Sequence, residues 1–310
     1  MADDKRIDAK TGTQFVGHEW DGIEELDTPM PRWWLWTFYA TVLFAIAYCI
    51  AYPAWPMISG ATRGVLGWTS QGQLEQELAA ERARRAPVIE ALNATPIERL
   101  PDNPKLFAAA VEGGRSAFKV YCAACHGAGA AGSKGYPNLN DDDWLWGGDL
   151  AAIQKTLEHG IRQPGDAATH QSMMPAFGRD GILTDAEIAD VVAYVRVLSR
   201  QQPLDAAARR GQASYATNCV ACHGADGKGS RALGAPNLTD PIWLYGGDVA
   251  SLTETIGKAR AGMMPAWSNQ LDPATIKMLT AYVHALGGGE TTPAPAPAET
   301  PAATAAAGGK

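Results

Sequence analysis

The chain has 310 residues, of which 46% are hydrophobic and 19% charged, and its formal net charge is −7. These proportions describe a globular protein rather than a disordered one, and the excess of carboxylates argues against a phosphate-neutralising nucleic-acid binder. A mean hydropathy of −0.16 excludes a polytopic membrane protein but leaves room for a single anchor. At ~150 residues per domain the length suggests about two domains.

Residues 1–32 are polar and acidic, with eight Asp or Glu against four Lys or Arg. An uncharged run follows at 33–55, in which 20 of 23 residues are apolar. About 20 such residues span a hydrocarbon core as a helix, so this run is expected to be a transmembrane helix. Trp33, Trp34 and Trp36 at one end, with Tyr52 and Trp55 at the other, match an interfacial aromatic belt. A cleaved signal peptide fits poorly, because the run starts late and follows an acidic segment. Arg32 and Arg63 flank the run on opposite sides, so charge does not set its orientation. Residues 56–104 read as a stalk, with a charged, Ala/Glu/Arg-rich helical stretch at 73–93. The chain from 288 to 310 is Gly, Ala, Pro and Thr with almost no large apolar residue, and composition assigns it to a disordered tail.

The region between is an internal repeat, expected at 105–200 and 204–287. The first copy carries Gly114-Arg115, Cys122-Ala-Ala-Cys125-His126-Gly127, Pro137-Asn138-Leu139, Trp144-Leu-Trp146-Gly147-Gly148-Asp149 and Met173-Met174-Pro175. The second carries Arg210-Gly211, Cys219-Val-Ala-Cys222-His223-Gly224, Pro236-Asn237-Leu238, Trp243-Leu-Tyr245-Gly246-Gly247-Asp248 and Met263-Met264-Pro265. The offset is 97 residues at the cysteines, 99 at Pro-Asn-Leu and 90 at the methionines, so the first copy has about nine extra residues around 162–172. Each copy ends in an amphipathic helix. Thr184-x-x-Glu187 is a capping box before Ile188, Val191, Val192 and Val195, and Asp272-Pro273 starts a helix with Ile276, Leu279 and Val283. The segments at 115–121 and 212–218 are also helix-compatible, and little in either copy reads as strand. The expected fold class is all-α.

On a helix, positions i, i+3 and i+4 share a face, so Cys122, Cys125 and His126 project together, as do Cys219, Cys222 and His223. Two thiols beside one imidazole suit covalent attachment of a haem c, with the histidine on the iron. A thioether is the usual sixth ligand in such sites, and each copy supplies a Met-Pro element. Spacing does not choose between Met173 and Met174, or between Met263 and Met264. Nor does it say whether each methionine serves its own copy or the other; pairing within a copy is the default. A zinc site fits worse, because each Cys pair has its own His in its own repeat. A thioredoxin-like pair lacks the surrounding βαβ pattern. His170, four residues before Met174, is a rival ligand, His159 and His284 read as surface or helix-face residues, and Cys49 reads as an inert residue of the apolar run. Backbone carbonyls of Pro137 and Pro236 suit the second nitrogens of His126 and His223. Trp144, Trp146, Trp243 and Tyr245 suit either haem edges and propionates or a plain aromatic core.

These motifs resemble class I cytochrome c domains. The segment His18-Glu-Trp20-Asp21-Gly22-Ile-Glu-Glu25-Leu-Asp27-Thr-Pro29, with Pro31-Arg32-Trp33-Trp34 and Tyr52-Pro53-Ala-Trp55-Pro56, is more discriminating. It resembles the membrane-anchored dihaem subunit (subunit III, CcoP or FixP type) of cbb3-type cytochrome c oxidase. The resemblance implies one N-terminal transmembrane helix followed by two tandem class I cytochrome c domains, with two covalently bound haem c groups. It implies Met174 and Met264 as axial ligands opposite His126 and His223. It implies a bacterial inner-membrane protein with a cytoplasmic N-terminus and periplasmic haem domains. The implied partners are a donor cytochrome c or bc1 complex, a monohaem cytochrome c subunit and the haem–copper catalytic subunit that reduces oxygen. Nothing in the chain resembles a copper site, a b-type haem pair or a proton channel, so the expected role is electron transfer without catalysis. A free-standing, membrane-tethered dihaem carrier is the alternative.

Overall fold

The computed structural model describes residues 6–291 and separates the chain into two compact units, Met1–Arg84 and Arg85–Lys310. In the first unit, β1 (Phe15–Trp20) and β2 (Ile23–Leu26) form an antiparallel hairpin. Its two-residue turn is Asp21-Gly22, both at positive φ (49° and 83°), the geometry that matches the twist of paired strands. Helix α1 (Arg32–Ala51) follows Pro31. Its 20 residues have a mean hydropathy of 1.7 over the best window, and none is buried by protein. At ~1.5 Å per residue it is about as long as a hydrocarbon core is thick. The helix stops at Ala51, four residues short of the apolar run, because Pro53 pushes Tyr52 into extended backbone (φ −118°, ψ 162°). A second short hairpin, β3 (Pro56–Met57) with β4 (Gly60–Ala61), comes next, and then helix α2 (Ser70–Ala94) begins.

The second unit is built from helices with strong local start signals. They are α3 (Pro104–Tyr121), α4 (Ala123–His126), α5 (Leu150–His159), α6 (Asp185–Leu198), α7 (Ala206–Asn218), α8 (Val220–His223), α9 (Val249–Lys258) and α10 (Pro273–His284). Asn103, Asp149, Thr184, Asp205, Asp248 and Asp272 each accept a backbone N–H of the first turn that follows, and Thr184 with Glu187 completes the capping box. Each such cap is worth about 1 kcal/mol.

Packing of these helices does not follow the repeats. The first helix of copy one, α3, crosses the last helix of copy two, α10, while α6 at the end of copy one crosses α7 at the start of copy two. Gly114 lies against the backbone of Met278, and Gly211 against that of Asp190. Beside these close approaches, Phe118 packs on Tyr282 (ring centroids 5.3 Å apart) and Tyr215 on Tyr194 (5.2 Å). Each core is therefore drawn from both copies. One gathers Phe118, Cys122, Ile153 and Leu157 with Ile276, Leu279 and Val283, and the other Ile188, Val191 and Val195 with Tyr215, Leu252 and Ile256.

The end of α2 also belongs to this unit rather than to an exposed stalk. Leu92 is fully buried among Leu100, Leu106, Leu150 and Ala274. Lys277 of α10 donates its ammonium to the carbonyls of Leu92 (2.8 Å) and Thr95 (2.6 Å), where the helix ends. At the other end of the repeats, two residues that composition gave to the tail, Gly288 and Glu290, are in place. Trp144 Nε1 donates to the Gly288 carbonyl (2.5 Å), the Gly148 N–H donates to Glu290 (2.9 Å), and Arg231 forms a two-pronged ion pair with Glu290. The rest of the expected tail lies outside the described residues.

Candidate haem sites

Helix α3 does not run straight into the first Cys-x-x-Cys-His motif. Cys122 is at once the cap that ends α3 and the residue that starts α4, with φ −112° and ψ −29°. One tight turn follows, in which the N–H groups of Cys125 and His126 both return to the Cys122 carbonyl (3.1 and 2.9 Å). Copy two repeats the construction: Cys219 has φ −116° and ψ −28°, and Cys222 and His223 return to its carbonyl at 3.2 and 2.9 Å. The turn brings both thiols and the imidazole to one side. Cys122 is buried and Cys219 half-buried, whereas Cys125 and Cys222 are exposed. Burial, and then the neighbouring thiol, push Cys122 and Cys219 up to about 11, so both are neutral thiols near pH 7.

Both histidines are held in one tautomer. The ring Nδ1 of His126 lies 3.1 Å from the Pro137 carbonyl, and that of His223 lies 3.1 Å from the Pro236 carbonyl. A carbonyl only accepts, so Nδ1 carries the hydrogen and the Nε2 lone pair is left for another partner. Glycines make the return of each loop possible. Gly132 (φ 67°) and Gly229 (φ 77°) sit where a β-carbon would strike the chain at Pro137 and Pro236, and each donates its N–H to the motif histidine's carbonyl at 2.8 Å. Burial holds both imidazoles below the ordinary histidine range and so keeps them neutral, the form that ligates a metal.

The methionines divide in the same way in each copy. Met173 and Met263 point outward (88% and 59% exposed), while Met174 and Met264 pack on the cores. The cores they reach are not those of their own Cys pairs. Met174 joins the core that includes Cys219, Val220 and Trp243, and Met264 joins the core that includes Cys122, Ala123 and Trp144. Backbone pairing fixes this crossing. Met264 and Ile161 exchange both hydrogen bonds (2.9 and 3.0 Å), and the Trp267 N–H reaches the Leu157 carbonyl (2.9 Å). In the other half the Phe177 and Arg179 N–H groups reach the Ile256 and Gly257 carbonyls (3.1 and 2.9 Å).

Of the four aromatics near the motifs, Trp146 is the informative one. Its indole N–H is buried without a partner. An orphaned buried donor costs about 1–3 kcal/mol, so it points to an acceptor that the polypeptide does not supply. A haem propionate is such an acceptor, and together with paired thiols and a free Nε2 in each copy the residues present fit haem c. Trp144 is instead used structurally, on Gly288. The Nε2 of His170, the rival ligand, is spent within copy one: it lies 3.0 Å from Thr156 Oγ1. His159 pairs with Asp166 (3.1 Å), and His284 donates to the Glu290 carbonyl (2.9 Å).

One cluster that sequence reading passed over is acidic. Asp141, Asp142 and Asp143 of copy one face Asp240 of copy two, and the Arg231 charge partly offsets theirs at Asp143. Desolvation and then the Asp240 and Asp141 charges push Asp143 up to about 6, although the residue is exposed. A carboxyl whose folded value lies above its unfolded value costs no stability below the unfolded value and costs most once pH exceeds the folded one. Asp143→Asn is therefore expected to raise the melting temperature at neutral and alkaline pH, with the gain fading as pH falls from about 6 towards 4. Melting curves across that range check it; a gain that grows in acid would contradict the assignment.

Three family models match the chain in series. They are the N-terminal domain of cytochrome oxidase-cbb3, FixP, over residues 12–59, cytochrome c over 111–199, and cytochrome c oxidase, cbb3-type, subunit III over 206–283. Among curated proteins, the cbb3-type cytochrome c oxidase subunit FixP of Azorhizobium caulinodans is 53% identical over 92% of this chain and 96% of its own. FixP of Bradyrhizobium sp. (strain ORS 278) is 52% identical over 94% and 100%. Subunit CcoP of Cereibacter sphaeroides is 50% identical over 89% and 95%. The match runs through the hairpin, the apolar helix and both Cys-x-x-Cys-His copies, and on that evidence the chain belongs to the FixP/CcoP family of cbb3-type cytochrome c oxidase subunits.

Proposed function

We propose that the chain holds two haem c groups in sites assembled across its two copies. Cys122, Cys125 and His126 form one site with Met264, and Cys219, Cys222 and His223 form the other with Met174. The observation that carries this pairing is the crossed packing of the Met-Pro segments on the opposite cores. When bound, the haem groups supply two one-electron centres, through which the subunit relays electrons from a donor cytochrome c or the bc1 complex toward the haem–copper catalytic subunit that reduces oxygen to water.

The chain's own residues do four things in this scheme. The thiols fix each group covalently. The proline carbonyls orient the histidine nitrogens, the Met-Pro segments close the opposite faces, and the aromatic and aliphatic cores exclude water. Helix α1 anchors the chain in the bacterial inner membrane, with the N-terminus cytoplasmic and the haem-binding unit periplasmic. Attachment of c-type haem outside the cytoplasm supports that orientation. The monohaem cytochrome c subunit and the catalytic subunit are the partners within the complex.

Mild detergent extraction followed by native electrophoresis with a haem stain tests the assignment. Co-migration of the stained chain with oxygen-reducing activity is the expected result. Migration as a free monomer would replace the oxidase-subunit reading with that of a tethered carrier.

A further inference from the structure

The extra residues of the first copy have a chemical consequence. Helices α5 and α9 correspond along their whole length, and each is followed by a residue at positive φ, Gly160 (φ 67°) or Ala259 (φ 55°). The next residue is Ile161 in copy one and Arg260 in copy two. Arg260 folds back over α9. It donates to the Ser251 carbonyl (2.8 Å), Thr255 Oγ1 (2.6 Å) and the Glu254 carboxylate (2.9 Å), and its guanidinium lies 4.6 Å from the centre of the Tyr245 ring.

Ile161 has no such chemistry, and in its copy the place is filled from the inserted loop. His170 returns beside Ile161 in a parallel bridge, sets Nε2 3.0 Å from Thr156 Oγ1, and stacks on Trp146 with ring centroids 4.3 Å apart and planes 20° apart. Thr156 corresponds to Thr255, and Trp146 to Tyr245, each at the 99-residue offset of the repeat. Both threonine hydroxyls spend their proton in the same way, on the Ala152 and Ser251 carbonyls (2.9 Å each). The same two anchors thus hold a guanidinium in one copy and an imidazole in the other. Because the Thr156 hydroxyl proton is committed, Nε2 of His170 must donate to Thr156, which leaves Nδ1 to take up a proton.

Arginine keeps its charge throughout the physiological range, whereas histidine loses it there. His170 also stands close to the first haem site. Ile161 bridges both His170 and Met264, and the stacked Trp146 carries the orphaned indole N–H. The charged groups facing His170 are Lys155 and His159 of α5, Asp166 paired to His159, and Arg162 at the root of the loop, whose guanidinium is spent on the Gly262 and Ser172 carbonyls. From the second copy the loop meets Gly234, Gly262 and Ala266, none of them charged, and the phenol of Tyr245 faces Arg162. Burial first, and then Lys155 and His159, hold the imidazole below the usual histidine range.

We propose that the inserted loop makes the first haem site proton-linked through His170, whereas the corresponding place in copy two carries the fixed charge of Arg260. The inference rests on the haem reading above. Reduction removes one positive charge from the haem, so an imidazolium beside it is better tolerated in the reduced state. With haem bound, each electron taken up would be accompanied by a fraction of a proton, drawn from solvent, on His170 Nδ1. The first potential accordingly falls as pH rises through the imidazole's titration and is level on either side, and the second stays level across the same range.

Redox titration of the whole purified oxidase, across the pH range in which histidine titrates, tests this with haem content measured in parallel. In the wild type one c-type potential of this subunit should move with pH. In His170→Gln, whose amide can still donate to Thr156, it should become flat at its alkaline value. In His170→Arg, which imitates the second copy, it should become flat and raised. A slope that survives in His170→Gln with both haems present would overturn the proposal, as would two potentials that move together. A wild-type subunit with fewer than two covalent haems would overturn the haem reading itself, and the proposal with it.

Discussion

A chain carrying both Met264→Ala and His223→Ala should lose the low-spin signal of both haems, whereas Met264→Ala combined with His126→Ala should spare one. The two outcomes follow from which core Met264 enters. Its backbone is locked to Ile161 by two hydrogen bonds, and Trp267 three residues on is locked to Leu157, both in copy one. Met264 therefore serves the site of His126, and removing it with His223 damages two sites instead of one. The thioether ligand raises a haem's potential relative to harder ligands, so Met264→Ala alone should lower one potential or open one coordination position, a full site's worth of change. Pairing within copies predicts the reverse: Met264→Ala with His223→Ala would then spare a haem. Electron paramagnetic resonance and optical redox titration of the purified complex read the number of low-spin centres directly, and Met174→Ala with His126→Ala supplies the mirror experiment.

Much of the chemistry could be read from the residues because it is local. A Cys-x-x-Cys-His turn, a Thr184-x-x-Glu187 capping box and an Asp272-Pro273 helix start are each fixed by a few adjacent residues, and the structure builds all three. The Asp21-Gly22 hairpin is equally local, a two-residue turn signal that the acidic composition of the N-terminal segment does not reveal. The crossing of α3 on α10 and of α6 on α7 was not legible, for a physical reason. Hydrophobic periodicity says which face of a helix is buried, not which partner buries it, and the apolar faces of α6 (Ile188, Val191, Val195) and α10 (Ile276, Leu279, Val283) are nearly interchangeable. The two Met-Pro elements are likewise near copies, so only long-range packing assigns them. Composition also misplaced two edges. Leu92 closes a core from within a stretch rich in charge, and Glu290 is held by Arg231 at the end of a glycine run. Both depend on partners distant in sequence.

The second large expected effect concerns the glycines on which this crossing depends. Alanine is favoured over glycine within a helix by about 1 kcal/mol, so propensity alone predicts that Gly→Ala stabilises any of these positions. At Gly257 in α9 a β-carbon meets nothing within 4 Å, and Gly257→Ala should show that gain. At Gly113 the added carbon meets the end of the Met278 side chain, which is flexible and can swing aside, so the change should be close to neutral. At Gly211 it falls on the backbone carbonyl of Asp190, and at Gly114 on that of Met278. Neither carbonyl can move without its helix. Accommodating even one methyl group there means parting α7 from α6, or α3 from α10, and with them the Tyr194–Tyr215 or Phe118–Tyr282 contact. Overpacking of a tight core costs about 1–3 kcal/mol or more, which outweighs the propensity gain and is a large share of a typical stability of about 5–15 kcal/mol. Gly211→Ala and Gly114→Ala should therefore lower the melting temperature followed through the haem absorbance, and the valine variants should fail to accumulate as haem-loaded protein, while Gly257→Ala melts at or above the wild type. Because each crossing joins the two copies, Gly211→Ala should weaken the site of His223 first and Gly114→Ala that of His126. A Gly211→Ala protein as stable as Gly257→Ala would mean that α6 and α7 do not meet at that point.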